Sequence, residues 1–121
     1  MVKYDLEERT LRFAANIRQF VAKVPRTIAS IEDCKQLVRS SGSVAANYIE
    51  ANESVSDRDF IYRIRVCKKE AKESILWLKL VARTFPRIAQ EANLLQKEAA
   101  ELMLMFASII KGRKAKEAFR I

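Results

Sequence analysis

Histidine is absent from the 121-residue sequence, and glycine, proline and cysteine contribute two residues each. Without histidine there is no imidazole for a Ser-His or Cys-His pair, for acid–base catalysis or for metal binding. Two glycines are too few for a Gly-rich phosphate loop or a fold built of β-hairpins. No apolar run approaches the ~18 residues of a membrane span, and the first ten residues lack a signal-peptide core. We therefore expect a cytoplasmic chain with no membrane contact, no cofactor, no metal and no enzymatic activity.

The two cysteines, Cys34 and Cys67, are widely spaced and form no C-x-x-C pair. Each lies among apolar residues at helical spacing, where a free cysteine behaves as a small hydrophobic residue. We interpret both as buried structural thiols, with a disulfide or a reactive thiol as the alternative.

Apolar residues are plentiful: they make up 50% of the chain, against 31% charged residues. In four segments they recur every three or four positions, and this period predicts four amphipathic helices. The predicted helices span residues 5–24, 30–52, 57–85 and 87–111, and a basic tail follows over 112–121. Because the connections are short, we expect a single all-α domain, an antiparallel up-down-up-down four-helix bundle.

Capping and helix-breaking residues set these limits. A capping-box pattern, with an acidic residue three positions on, marks three predicted starts: Asp5, Ser30 and Ser56. Pro25 and Pro86 end the first and third helices, because the residue before a proline avoids helical geometry. Gly112 is predicted to end the fourth helix in a left-handed cap, with a frayed extension of the helix as the alternative for the residues that follow. Gly42, inside the second helix, predicts a close approach by another backbone, with a small ligand notch as the alternative.

The third helix carries more apolar residues than one core needs. Measured from Phe60 on the core side, Leu76 falls at about 160°, Leu80 at about −160° and Trp77 at about −100° around the helix. A helix that is apolar on nearly all sides is covered on more than one side. We therefore predict a homo-oligomer with Leu76, Trp77 and Leu80 at the interface between copies.

Positive charge is concentrated in the second half of the chain. The net charge of +8 divides into +2 over residues 1–24, −1 over 25–56, +4 over 57–86 and +3 over 87–121. Six cations of the third helix fall on the side opposite its core stripe: Arg58, Arg65, Lys69, Lys72, Lys79 and Arg83. Clustered Lys and Arg on one face are typical of nucleic-acid binding. The alternative is a solvated face relieved by Glu70 and Glu73 at i,i+4 spacing.

Carboxylates are the remaining candidates for a metal or catalytic site. Glu50, Glu53, Glu70 and Glu73 could pair across the second and third helices. Carboxylate-bridged metal bundles use Glu-x-x-His, which this sequence cannot supply. We expect a structural role instead, in which Asn47 and Glu50 satisfy polar groups of the turn that follows the second helix.

Several short motifs occur together in a recognisable order. Val24-Pro25 ends the first helix, and the stretch SGSVAANYIEANESVSDRDFIYRIRVCKKEAKESILWLKLV follows in the second and third. With these motifs the chain resembles the small four-helix-bundle proteins encoded in intervening sequences of bacterial 23S rRNA genes, over residues 5–110. The positions that carry the resemblance are Asn47, Glu50, Ser56, Asp59, Phe60, Lys69, Glu70, Ala71, Glu73, Trp77 and Leu78. The chain departs from the family pattern at Ala51, where a glycine is common, and at Leu11-Arg12-Phe13, where the family often has a tryptophan.

The resemblance implies a fold and an assembly more than an activity. Members of that family form four-helix bundles that associate as ring-like homopentamers. A similar bundle is the accessory variability protein of diversity-generating retroelements, a basic pentamer that binds nucleic acid and partners a reverse transcriptase. Our leading hypothesis is a non-enzymatic oligomeric bundle that binds RNA or DNA without strong sequence specificity. The alternative is a scaffold that docks a partner protein, with the charge serving solubility, and an enzyme would require a bound metal or cofactor.

Overall fold

A computed structural model describes residues 5–118, and within that range the secondary structure is entirely helical. Four α-helices follow one another: α1 (Leu6–Val21), α2 (Ile28–Asn52), α3 (Asp57–Thr84) and α4 (Ala89–Ala118). A single 3-10 turn, Pro86–Ile88, links α3 to α4. The predicted all-α class and the four helices are confirmed.

Helix starts follow the capping side chains. Asp5 accepts a hydrogen bond from the Glu8 backbone N–H at 3.1 Å, and Ser56 accepts one from the Asp59 N–H at 3.1 Å. The predicted start of α2 at Ser30 is wrong. Thr27 is the N-cap, and it exchanges hydrogen bonds with Ser30 in a reciprocal capping box. The hydroxyl of Ser30 takes the part usually played by Glu or Gln, so the acidic residue at 33 gave a false signal.

Helix ends show two further differences from the sequence predictions. The first helix ends at Val21 rather than at 24. The backbone N–H groups of Lys23 and Val24 donate to the carbonyls of Phe20 and Val21, three residues earlier, so the chain forms a tighter turn before Pro25. The prediction that Gly112 ends the fourth helix is also wrong: its φ is not positive, and α4 continues to Ala118. One glycine costs only about 1 kcal/mol in a helix, and the Lys-, Arg- and Ala-rich segment after it favours continuation. Residues 119–121 of the predicted tail lie outside the described range.

The core is formed by the apolar stripes of all four helices. Its largest fully buried side chains include Phe13 and Phe20 from α1, Leu37 from α2, Leu78 from α3 and Phe106 from α4. Burying side chains of this size stabilises the fold by roughly 1.5–3 kcal/mol each. Cys34 and Cys67 are free thiols within this core, as the sequence predicts.

Polar contacts fix how the helices lie against each other. Between α2 and α3, Ser40 Oγ lies 2.7 Å from Ser74 Oγ, and Asn47 Oδ1 accepts a hydrogen bond from Arg63 Nη1 at 3.0 Å. Gly42 has a close neighbour, but the backbone expected there is absent. A Cβ added at Gly42 would lie 3.2 Å from Arg18 Nη2, so the glycine makes room for a guanidinium from α1.

Candidate nucleic-acid interface

The six cations predicted to bind nucleic acid all lie on α3 and are all exposed: Arg58, Arg65, Lys69, Lys72, Lys79 and Arg83. The buried stripe of the same helix, which includes Ile64, Ala71 and Leu78, points the opposite way. At 1.5 Å per residue, the row from Arg65 to Arg83 is about 27 Å long. The helical period of the core residues therefore sets where this row of charges lies.

Two of the four acidic residues of α3, Glu70 and Glu73, are directed away from these cations and towards α2. Glu70 is only 7% exposed and accepts hydrogen bonds from Arg39 of α2 at 3.3 and 3.4 Å. Glu73 accepts a further bond from Arg39 Nη2 at 3.0 Å. The hydrogen bond to Glu70 is the main reason that the pKa of the Arg39 guanidinium is raised. Because one α2 cation engages both carboxylates, the part of the row from Arg65 to Arg83 is left with little neutralising charge from α3 itself.

The cations of this row are largely unpaired. Among the side chains that the structure describes, those of residues 5–116, five of the six cations make no ion pair: Arg58, Arg65, Lys72, Lys79 and Arg83. The sixth, Lys69, has only a 4.0 Å approach to Glu73. Elsewhere, Arg9 holds Glu98 and Glu101 at 2.8 and 2.9 Å, and Lys23 holds Glu91 at 3.0 Å. The α3 cations are therefore available to anions from outside the chain.

Part of the row borders a groove between α3 and α4. The groove has a volume of about 540 Å³, and its lining residues are Arg65, Lys68, Lys69, Lys72, Met103, Ala107 and Ile110. Sequence reasoning missed Lys68, because its helical angle of about 80° from Phe60 placed it near the core side. The side chain is nevertheless exposed, since a lysine can bury its stem and extend its ammonium to solvent. The adjacent Lys68-Lys69 pair was the signal that could have found it.

The residues predicted to lie between copies of the chain have two different environments. Leu76 and Leu80 are 49% and 39% exposed on the outer side of α3. Trp77 instead packs, partly buried, against the bundle core. Its indole Nε1 is buried and has no hydrogen-bond partner within the described part of the chain.

The motif residues lie mostly at contacts between elements. Asn47 donates to the Ser43 carbonyl and hydroxyl at 2.9 Å and accepts from Arg63, so it links α2 to α3 rather than capping the following turn. Glu50 is exposed, and its backbone carbonyl accepts from the Ser54 hydroxyl at 3.1 Å. The Phe60 ring lies 3.8 Å beneath the Arg113 guanidinium, which also reaches Asp57 at 2.6 Å.

The two buried thiols have raised pKa values. Burial raises the pKa of the Cys67 thiol to about 12, and burial followed by the nearby Asp33 charge raises the pKa of Cys34. A thiol kept protonated is a poor nucleophile. Among the side chains of residues 5–116, no three His, Cys, Asp or Glu residues are grouped so that they could hold a metal ion. Nor is any helix in that range long and apolar enough to cross a membrane.

These features define a basic helical bundle, and comparison with known proteins assigns its family. The family model for the 23S rRNA-intervening sequence protein matches residues 3–108, so the chain belongs to that family. The chain is also similar to a protein of unknown function from the S23 ribosomal protein family of Bacteroides thetaiotaomicron VPI-5482, whose crystal structure was determined at 1.70 Å. The two are 30% identical with a TM-score of 0.76, covering 87% of this chain and 97% of the other. No curated protein matches the chain significantly.

Proposed function

We propose that the protein is a non-enzymatic, oligomeric bundle that binds RNA or DNA through the basic side of α3 and the adjoining groove. The observation that carries this proposal is the row of exposed α3 cations, five of which make no ion pair among the described residues. Contacts of Lys and Arg with phosphates fix the position of a nucleic acid without reading its bases. Binding is therefore expected to be largely independent of sequence.

Assembly belongs to the same proposal. Contacts between α2 and α3 pair Ser40 with Ser74 and Asn47 with Arg63, so residue numbers rise along one helix as they fall along the other. This order supports an antiparallel up-down-up-down topology. The exposed Leu76 and Leu80 support a ring-like homo-oligomer, because another copy of the chain would cover them. That copy would also reach Lys79 and Arg83, one helical turn away, so the phosphate contacts fall to the four cations of the groove. Each added copy brings a further charge of +8, which strengthens attraction to a polyanion.

Salt dependence tests the proposal. Fluorescence anisotropy with a labelled, mixed-sequence RNA should detect binding at 0.05 M salt. If the four groove cations each contact a phosphate, the logarithmic salt slope is about −3 per protomer, equivalent to a loss of roughly 50-fold by 0.2 M salt. Absence of binding at low salt, or an affinity indifferent to salt, would overturn the proposal.

Charge reversal locates the interface. Lys69→Glu combined with Lys72→Glu should weaken binding and reduce the salt slope by about 1.4, since two phosphate contacts are lost. Arg26→Glu combined with Lys35→Glu is the matched control, because both side chains are exposed and line a separate cleft beside α1 and α2. Far-UV circular dichroism should show that both variants stay folded. Equal weakening by the two pairs would place binding elsewhere on the molecule.

A scaffold that docks a partner protein is the second candidate. Exposed apolar side chains away from the basic face favour it, notably Ile28 and Val55 at 90% and 96% exposure. Recovery of a stoichiometric protein partner after nuclease treatment, together with no RNA or DNA binding at low salt, would select the scaffold.

A further inference from the structure

The groove between α3 and α4 has an apolar floor that phosphate contacts alone do not explain. Its cations come from α3, whereas α4 contributes only Met103, Ala107 and Ile110. A surface meant solely for phosphates would carry polar or charged groups across its whole width. An apolar strip beside a row of unpaired cations instead suits a ligand that is charged along one edge and apolar along the other.

The outer edge of this floor is also apolar. Leu104 is 72% exposed, and it follows Met103 directly and precedes Ala107 by one helical turn. It therefore extends the floor outwards along α4. Further along the same helix, Lys111 and Lys114 are exposed and make no ion pair among the residues described. From Met103 onwards, cations on α4 therefore begin only where the apolar floor ends, after Ile110.

A duplex is a poor match for this surface. Axes of packed helices lie about 8–10 Å apart, and each helix with its side chains is about 10–12 Å across. The two-helix face is therefore too wide for a major groove of about 12 Å. A duplex would rest on its phosphates alone and leave Met103, Leu104 and Ile110 facing charged oxygens. Single strands differ because their bases turn outwards and offer apolar faces beside the phosphates.

We infer that the groove takes a single-stranded stretch of RNA or DNA, with phosphates on the α3 cations and bases against the α4 floor. The inference rests on the proposed function and specifies its substrate class. Because the floor is aliphatic rather than aromatic, base contacts are weaker than in aromatic stacking platforms and select no particular base. The preference for single strands then comes from shape and burial rather than from sequence.

The test compares two probes with four forms of the protein. A labelled 12-nucleotide strand without self-complementarity and its 12-base-pair duplex are titrated at the same salt concentration with wild type and three variants. Wild type should bind the single strand at least tenfold more tightly. Leu104→Ser and Met103→Ser should each weaken single-strand binding at least threefold while leaving duplex binding and the salt slope unchanged. Leu94→Ser is the matched control, since Leu94 is also exposed on α4, at 61%, but lies nine residues from Met103 and so about 180° away from it around the helix.

Each outcome decides between this inference and the function on which it rests. Duplex binding as tight as single-strand binding, or a Leu104→Ser variant indistinguishable from Leu94→Ser, overturns the inference and leaves the proposed function standing. Failure of both probes to bind overturns the proposed function itself. A competition experiment identifies a protein partner. If an acidic amphipathic peptide of equal charge displaces the labelled strand at a lower concentration than the unlabelled strand does, the groove is assigned to a protein partner and the inference is overturned.

Discussion

Replacing Arg39 by alanine tests whether this α2 cation stabilises Glu70 and Glu73 in their positions between α2 and α3. In the folded chain, its guanidinium lies 3.3 Å from Glu70 and 3.0 Å from Glu73. The variant leaves the Glu70 carboxylate buried without its partner. Removing one member of a fully buried pair costs about 3–5 kcal/mol, whereas an exposed pair is worth at most about 1 kcal/mol.

The expected magnitude lies between these limits, because the Arg39 side chain is 50% exposed and that of Glu70 only 10%. We expect Arg39→Ala to lower the free energy of unfolding by about 1–2 kcal/mol after allowing for solvent screening. For a domain of this size that corresponds to a fall in Tm of roughly 4–8 °C. Urea unfolding followed by far-UV circular dichroism, at one fixed protein concentration, measures it.

Two further variants make this prediction specific. Lys35→Ala removes the exposed 3.4 Å pair with Glu32 and should cost less than about 0.5 kcal/mol. Glu70→Leu added to Arg39→Ala should recover much of the lost stability, because the unpaired carboxylate is gone. An Arg39→Ala variant as stable as Lys35→Ala, or no recovery in the double variant, would refute the reasoning.

The remaining predictions concern the core and the assembly. Ser40→Ala and Ser74→Ala should each lower the free energy of unfolding by about 1 kcal/mol. The double variant should lose less than the sum, since the two hydroxyls share a buried 2.7 Å hydrogen bond. Strictly additive losses in urea unfolding would contradict this coupling. Cys67, with its pKa raised to about 12, should resist a thiol reagent at pH 8 in the native state. Rapid labelling of Cys67 in the native protein would contradict this resistance. The free energy of unfolding should fall as pH rises from about 9 towards 12, because the thiol ionises at lower pH in the unfolded chain than in the folded one. The Cys67→Ala variant should lack that contribution. Leu80→Glu should reduce the mass measured by light scattering to that of one 13.9 kDa chain, provided that α3 forms the interface between copies; a persistent oligomer would place the interface elsewhere.

Local sequence patterns predicted the helices well, because the starts of α1, α2 and α3 depend on nearby capping side chains and on the apolar period beside them. They failed where two local signals competed. At the start of α2, Thr27 with Ser30 prevails over Ser30 with Asp33. At Gly112, the helix-favouring residues on both sides outweigh one glycine.

The candidate site could be predicted only in part. The exposure of the α3 cations follows from helical angle, a property of a single helix. The contact of Arg39 with Glu70 depends on the register of α2 against α3, which no single-helix pattern contains. For the same reason the groove floor escaped prediction: Met103 and Ile110 become its lining only because α4 lies beside the cations of α3.

The central claim is that unpaired α3 cations bind phosphates, and a salt titration of the paired charge-reversal variants tests it most directly. Wild type and the control variant, Arg26→Glu with Lys35→Glu, should bind a mixed-sequence single strand with a logarithmic salt slope near −3 per protomer. The Lys69→Glu, Lys72→Glu variant should bind the same strand with a slope near −1.5. Identical slopes for all three folded proteins, or no binding by wild type at 0.05 M salt, would contradict the claim.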